Sequence, residues 1–418
     1  MKKVTLIALL VVGLMTSSFA QAKNLQFWRP NDQRGLNVFE STKQDTVPYD
    51  GLMVKIGGAN TLQFQALEAS NSGAVDIFDL GPNFNLATSN LDLDVQLHPG
   101  LRMHLRTYLS SRHHAQPYVK GGYMQVDRLD FIRPGFMASL MDNLTIKVGH
   151  MQINYGDNHF RRTDNGQAIY NPFVGNYIMD SFTTEVGAEV YFQSNGFISM
   201  LGLTNGKLNQ STVKPPEDAP QTKPSIVAKI GFDDQLNDDL RFRLTGSVYH
   251  TGESGRTYLY GGDRAGSRYY NILTENSNEF RIPRFDPGFL NELTAVMLNA
   301  FVKFQGLEFY GVFENSSGKA VAETDRRSFS QYGAELLYRF GRDENVYLGT
   351  RYNMIAGETM AGDDVDINRF NLGGGWFLTQ NVLAKIEYVT QAYNGFPSDS
   401  AFEEGKFSGV MLEAIISF

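Results

Sequence analysis

The chain has 418 residues, a formal net charge of −8 and no cysteine. The absent thiols exclude a disulfide framework, a lipoprotein anchor and thiolate metal sites, and the acidic balance argues against nucleic acid as a partner. No apolar run after residue 22 is long enough for a transmembrane helix, yet 20 Tyr, 30 Phe and 41 Gly fit a chain of strands and turns.

Residues 1–22 read as a secretory signal. Lys2 and Lys3 form the positive start, Val4 to Met15 the apolar stretch, and Ser18, Ala20 and Ala22 the small residues of a cleavage region. Cleavage after Ala20 or after Ala22 fits equally well. Losing the two lysines moves the net charge from −8 to −10. The segment 23–51, with Trp28, Arg29 and Asp32, precedes the first strand. It is expected on the periplasmic side, as a plug of the mouth, a partner contact or a disordered tail.

Period-2 alternation between turn clusters then predicts about sixteen strands, at 52–69, 84–97, 101–112, 117–132, 144–153, 183–193, 196–206, 224–233, 239–251, 292–304, 307–316, 328–340, 345–357, 366–379, 381–394 and 405–418. The gaps alternate short and long. Short ones include His98-Pro99-Gly100, Ser194-Asn195 and Gln305-Gly306, with a longer one at 133–143; long ones start near 70, 113, 154, 207, 252, 317, 358 and 395. A membrane barrel with short periplasmic turns and longer outer loops produces this asymmetry. Every proline falls before the first strand, in a predicted loop or turn, or at a strand's first residue, as a ladder requires. In the fourth strand the parity slips between Tyr118 and Phe131, which suggests a bulge. The last strand alternates Val410, Leu412, Ala414, Ile416 and the terminal Phe418 against Gly409, Met411, Glu413, Ile415 and Ser417.

The strand faces sort by polarity. Leu101, Met103, Leu105 and Leu109 oppose Arg102, His104, Arg106 and Tyr108; Leu91, Leu93, Val95 and Leu97 oppose Asp92, Asp94 and Gln96; Leu240, Phe242, Leu244 and Val248 oppose Arg241, Arg243, Thr245 and Ser247. A lipid-facing Arg or Lys near the bilayer midplane costs ~2–4 kcal/mol, so the charged face is the lumen. Pairing about the turns sets Asp92 opposite Arg106, Asp94 opposite His104, Gln96 beside Arg102, Lys303 opposite Glu308 and Glu335 opposite Arg351. Such neighbours neutralise one another. Arg241 and Arg243 find no acid at matching positions on their own strand, and with Lys147 they are the candidates for a free positive rung. Tyr338, Phe340, Trp376, Phe377, Tyr388, Tyr393 and Phe418 lie near strand ends, where interfacial girdles belong.

The third outer loop, 152–182, stands out. Its stretch NYGDNHFRRTDNGQAIYNPFVGNYIMDSF is rich in Gly, Asn, Asp and Pro, and a loop of this length is more often functional than filler. Asp157, His159, Arg161, Arg162 and Asp164 form a charged knot that would narrow the channel and filter small anions or polar solutes. Alternatively Arg161 and Arg162 pair with Asp157 and Asp164 and only pin the loop to the wall. Asp157-Asn158, Asp164-Asn165-Gly166 and the group Asp363, Asp364 and Asp366 lack EF-hand spacing for calcium. The loop 252–291 carries Arg256, Arg264, Arg268, Arg281 and Arg284, for lipopolysaccharide phosphates, a ligand or plain solvation.

The segments LTIKVGHMQINYGDNHFRRTDN (144–165) and RFNLGGGWFLTQNVLAKIEYV (369–389) resemble the phosphate-selective porin O/P family, over the order of parts in 52–418. The resemblance implies a trimeric, sixteen-stranded porin whose third loop lies inside the barrel. The chain departs from that family in lacking a basic ladder and a lysine-rich entrance, so phosphate selectivity does not carry over. No histidine sits in a nucleophile motif, and no dinucleotide or phosphate-loop motif occurs in a strand–helix context. The expectation is therefore an all-β transmembrane antiparallel barrel in the outer membrane of a Gram-negative bacterium. It passes small hydrophilic solutes or ions passively, as a homotrimer among lipid and lipopolysaccharide, with no catalytic residues, metal or cofactor. The alternatives are a non-conducting structural or adhesion barrel, a subunit of an uptake or export assembly, or a barrel hydrolase.

Overall fold

A computed structural model describes residues 24–45, 47–111, 114–206, 212–261, 269–275 and 283–418, with backbone alone for 114–116. The signal at 1–22, and Arg264, Arg268 and Arg281, lie outside the described residues. Sixteen strands follow in order: β1 (Met53–Ser70), β2 (Asn83–His98), β3 (Leu101–Ser110), β4 (His114–Val126), β5 (Leu144–Gln152), β6 (Thr184–Ser194), β7 (Phe197–Thr204), β8 (Ser225–Gln235), β9 (Leu240–Thr251), β10 (Glu292–Phe304), β11 (Leu307–Lys319), β12 (Arg327–Phe340), β13 (Val346–Glu358), β14 (Asp364–Thr379), β15 (Val382–Asn394) and β16 (Lys406–Ser417). Each pairs antiparallel with its sequence neighbours. β1 also pairs with β16, from Ala59 opposite Ser417 to Ser70 opposite Lys406, which closes the barrel. Closure leaves no unpaired edge strand, the condition for a sheet in hydrocarbon.

The wall is inverted relative to a water-soluble protein. Leu201 (63%), Ile230 (59%) and Trp376 (58%) are exposed on the outside, while Arg243, Arg351 and Arg369 are fully buried within. The period-2 alternation sets this directly, because adjacent side chains leave opposite faces of the sheet. The terminal Phe418 also points outward. Two of the expected girdle aromatics do not. Phe377 is 2% exposed and turned inward at a register shift between Phe377 and Thr379, and Tyr393 shares the inward parity of Val389 and Gln391.

β4 departs from its expected span. It ends at Val126, and the turn that follows, 127–143, holds a short helix at Ala138–Met141. Its register against β3 slips: Arg106 faces Gly121 but Thr107 faces Val119. Lys120 is the extra residue of this bulge, which leaves its side chain buried inside the barrel.

A sixteen-stranded bore is too wide for the side chains of its wall to fill. Here three non-strand segments contribute to the interior. They are an N-terminal strap (24–45), the inner loop between β5 and β6 (153–183), and the described parts of 252–291. Their apolar residues join inward wall residues in one cluster, with Phe39 of the strap, Tyr155, Val174 and Ile178 of the inner loop, and Leu259, Tyr270 and Phe289 beside Met297, Phe301 and Phe329. Over its described part, the segment for which a tail is one expected option lies against the interior, with Leu25, Phe27, Asn31, Asp32, Asn37 and Phe39 buried.

Candidate functional site

The inner loop begins where Gly156 turns the chain at φ +63° against Met297. One helical turn follows, Asn158–Arg161. Its backbone and side chains then bond inward residues of distant strands. Asp157 N donates to Asn299 Oδ1 (2.9 Å), Val174 N to Glu387 Oε2 (2.8 Å) and Ile178 N to Asn353 Oδ1 (2.7 Å). Arg351 donates to the Gly175 carbonyl (2.7 Å) and Lys385 to the Ala168 carbonyl (2.8 Å). Buried loop backbone needs such partners, and a polar wall supplies them.

Three charge clusters fix the loop. In the first, Asp157 accepts from Arg243 Nε (2.8 Å), Arg243 Nη2 (2.8 Å), Lys229 Nζ (3.0 Å) and Thr245 Oγ1 (2.8 Å). Burial alone would raise the Asp157 carboxyl; Arg243 and Lys229 outweigh that and hold it at about 2. In the second, Arg161 meets Glu335 (3.1 Å) and Glu308 (3.8 Å) and donates to Asn37 of the strap. Burial opposes the Arg161 charge, but Glu335 and Glu308 keep its affinity for the proton above the usual value. In the third, Asp164 pairs with Arg106 (3.1 Å), with Lys120 and with Arg162 (3.7 Å), while Arg162 makes its main pair with Asp180 (2.6 Å). His159 Nε2 donates to Asn154 Oδ1 at 2.8 Å, and the ring packs on Phe160. Burial, then Lys229, pushes its imidazole well below the usual range.

These partners correct the sequence reading in two places. Arg161 does not pair with Asp157; its acids are Glu335 and Glu308 on β12 and β11. Arg241 and Arg243 are not a free positive rung. Arg241 makes a two-bonded pair with Asp233 on β8 (2.8 and 2.7 Å), and Arg243 is shared among Asp157, Glu40 and Asp233. The acids sit across the strand pair, on the strap and on the inner loop, none of which same-strand parity reveals.

The pairs expected about the turns are in register. Asp92 faces Arg106, with bonds of 2.7 Å from Nε and Nη2, and Asp94 faces His104, with Nδ1 at 2.9 Å. Gln96 faces Arg102, which reaches Gln125 (2.6 Å) and Asp94 (3.7 Å). Lys303 faces Glu308, and Glu335 faces Arg351 at 2.8 Å. Lys147 differs from these. Its ammonium lies 4.8 Å from the Tyr191 ring centroid and 5.8 Å from that of Tyr123, and no carboxylate comes within ion-pair distance among the described residues. Asp364 and Asp366 stand on β14, Asp366 bonded by Asn394. Arg256 lies over Tyr258 and Arg284 beside Asp286, within the fifth outer loop.

Two open spaces flank the strap. A cavity of about 230 Å³ lies along the inward faces of β2 to β6, where Asp92, Asp94, Arg102, His104 and Lys147 meet Trp28 and Glu40 of the strap. A larger space of about 1100 Å³ opens among the short turns, between Arg34 and Asn37 of the strap and Asp239, Arg241, Lys303 and Glu344. Sequence reasoning missed Glu40, Asn37, Lys120, Lys229 and Asp180. The inward parity of Ser225, Val227 and Lys229 could have found Lys229. The other four depend on a bulge or on non-periodic segments.

Among solved structures, the barrel is similar to the anion-selective porin from Comamonas acidovorans (10% identity, 88% of this chain and 100% of that chain, TM-score 0.54). It is similar to the outer membrane channel DcaP of Acinetobacter baumannii (11%, 88% and 98%, TM-score 0.51). It is also similar to the trimer form of OmpT, an outer membrane protein of Vibrio cholerae (10%, 88% and 100%, TM-score 0.52). No protein-family profile and no curated protein sequence matches the chain. At these identities the likeness is one of fold, and the chain folds as a sixteen-stranded outer-membrane β-barrel.

Proposed function

We propose that the protein is an outer-membrane channel of a Gram-negative bacterium, through which small hydrophilic solutes or ions diffuse with no chemical step. The observation that carries this reading is the charged cavity of about 230 Å³ inside an apolar shell. A space lined by Asp92, Asp94, Arg102 and His104 suits hydrophilic solutes and ions. The constriction belongs to the inner loop, with Asp157, His159, Arg161, Arg162 and Asp164 as the groups that fix its course. Lys147, which lies over the Tyr191 ring with no carboxylate within ion-pair distance among the described residues, is the residue that tilts ion preference. The two segments resembling the phosphate-selective porin O/P family support the channel reading and the homotrimer, in a setting of lipid and lipopolysaccharide. Residues 1–22 are the signal that directs export.

The test is single-channel conductance of the refolded protein in a planar bilayer under a salt gradient. Discrete open steps are expected, and Lys147→Glu moves the reversal potential toward cation preference. A folded, heat-modifiable barrel without conductance overturns the channel reading and leaves the structural barrel.

A further inference from the structure

The strap is held in the bore by side chains more than by backbone. Its backbone bonds the wall's backbone through Gln33 N to the Gln380 carbonyl (2.9 Å), while side chains reach wall carbonyls, Asn31 those of Gly58 (2.9 Å) and Phe418 (3.2 Å) and Lys43 that of Leu144 (2.7 Å). None of the sixteen ladders includes a strap residue. The cavity touches Trp28, Phe39 and Glu40, and the space among the turns touches Gln33, Leu36 and Asn37. The strap therefore stands between the two spaces, and its departure joins them.

At the inner end of the strap, Glu40 occupies a built site. One oxygen of its carboxylate accepts from Arg243 Nη2 (3.1 Å), Lys229 Nζ (3.2 Å) and Asn154 Nδ2 (3.2 Å), and the other lies in ion-pair contact with Arg243 Nη1 (2.8 Å). The Lys229 and Arg243 side chains are fully buried, and that of Glu40 nearly so. Burial alone would raise the Glu40 carboxyl; Arg243 and Lys229 hold it well below its usual range. A guanidinium edge, an ammonium and an amide around one point match a carboxylate in geometry and in charge. With Glu40 absent, Lys229 and Arg243 face Asp157 and a share of Asp233, which Arg241 also binds. Positive charge is then left uncompensated in the joined bore.

We propose that Lys229 and Arg243 form a carboxylate-binding site in the bore, that Glu40 is its self-supplied occupant, and that small carboxylate solutes displace it and free the strap from the periplasmic mouth. This rests on the channel reading and names its solute class and its gate.

The chain has two tryptophans, Trp28 on the strap and Trp376 on the lipid-facing wall. Trp376→Phe leaves Trp28 as the sole reporter; its Nε1 donates to Asp94 (3.2 Å) and Lys55 lies 4.5 Å from its ring. The full-length mature barrel in detergent micelles is titrated with sodium acetate, against sodium chloride at equal ionic strength. Acetate shifts the Trp28 emission to the red and chloride does not. In Glu40→Gln the shift is present without acetate, or its midpoint falls about tenfold, the factor of one lost charge-assisted contact. Because the protein lacks cysteine, Gln33→Cys with Gln380→Cys gives one disulfide at the backbone contact. Oxidation abolishes the shift and reduction restores it. An emission that ignores acetate in both the parent and Glu40→Gln overturns the proposal, as does an equal response to chloride. Conductance is read separately. A Trp28 response without conductance leaves the site standing and removes the channel, and conductance without a response does the reverse.

Discussion

Replacing Asp157 by Asn tests whether the inner loop is clamped by charge. The carboxylate is 1% exposed and accepts from two groups of Arg243, from Lys229 and from Thr245. Its proton affinity falls from 3.8 in the unfolded chain to about 2 in the barrel. That difference amounts to roughly 2–3 kcal/mol of stability. The folded form binds fewer protons, so the contribution is present in full above pH 3.8 and is lost as pH falls through about 2. Asn removes the charge and sets an amide donor against the guanidinium, so two buried cations retain Glu40 and a shared Asp233. Breaking a buried pair in this way costs roughly 3–5 kcal/mol. Asp157→Asn is therefore expected to lower stability by about 3 kcal/mol at neutral pH. Urea unfolding of the refolded barrel in lipid vesicles, followed by tryptophan emission and by the heat-modifiable gel shift, measures it. The gap between parent and variant should hold from about pH 7 to about pH 4 and narrow below. A gap under about 0.5 kcal/mol at pH 7 would show the cluster contributes little to holding the loop.

Arg161→Ala with Arg162→Ala cuts the loop from Glu335, Glu308 and Asp180, so single-channel steps should grow or ion preference change; identical traces would place the constriction elsewhere. His159 is buried with its imidazole held well below 6.5, so its ring signals should stay flat by NMR from about pH 8 to about pH 5.5, and a midpoint near the free value refutes the burial argument. Gly166 approaches the wall so closely that a Cβ would stand 2.6 Å from the Ala59 carbonyl oxygen and 2.9 Å from Asn90 N. Both contacts are backbone, so Gly166→Ala should cost about 1–3 kcal/mol in the same urea assay, and an unchanged midpoint would mean the loop shifts freely.

Alternation alone determined much of this protein. A strand's period of two assigns each residue a face, and a short turn sets the register of the pair that it joins. Hence Asp92 opposite Arg106 and Asp94 opposite His104 follow from pairing about the turn His98-Pro99-Gly100, and the lipid-facing Leu201 and Ile230 follow from parity. The same rule sorts Tyr388 outward and Tyr393 inward, so the mistaken girdle position of Tyr393 came from weighing strand ends over parity. The parity slip in the fourth strand signalled a bulge, and the structure has one there, but local pattern could not tell that Lys120 is its extra residue and turns inward. Nor could it reach the partners of Arg161, Arg243 and Glu40. Their contacts join residues 174, 86 and 203 positions apart, across the bore. Such contacts exist only once β1 meets β16 and the non-periodic strap and loop lie against the closed wall. Sequence fixes strands through local backbone geometry and the lipid boundary. What occupies the bore is decided by charge and apolar packing between segments that closure alone brings together.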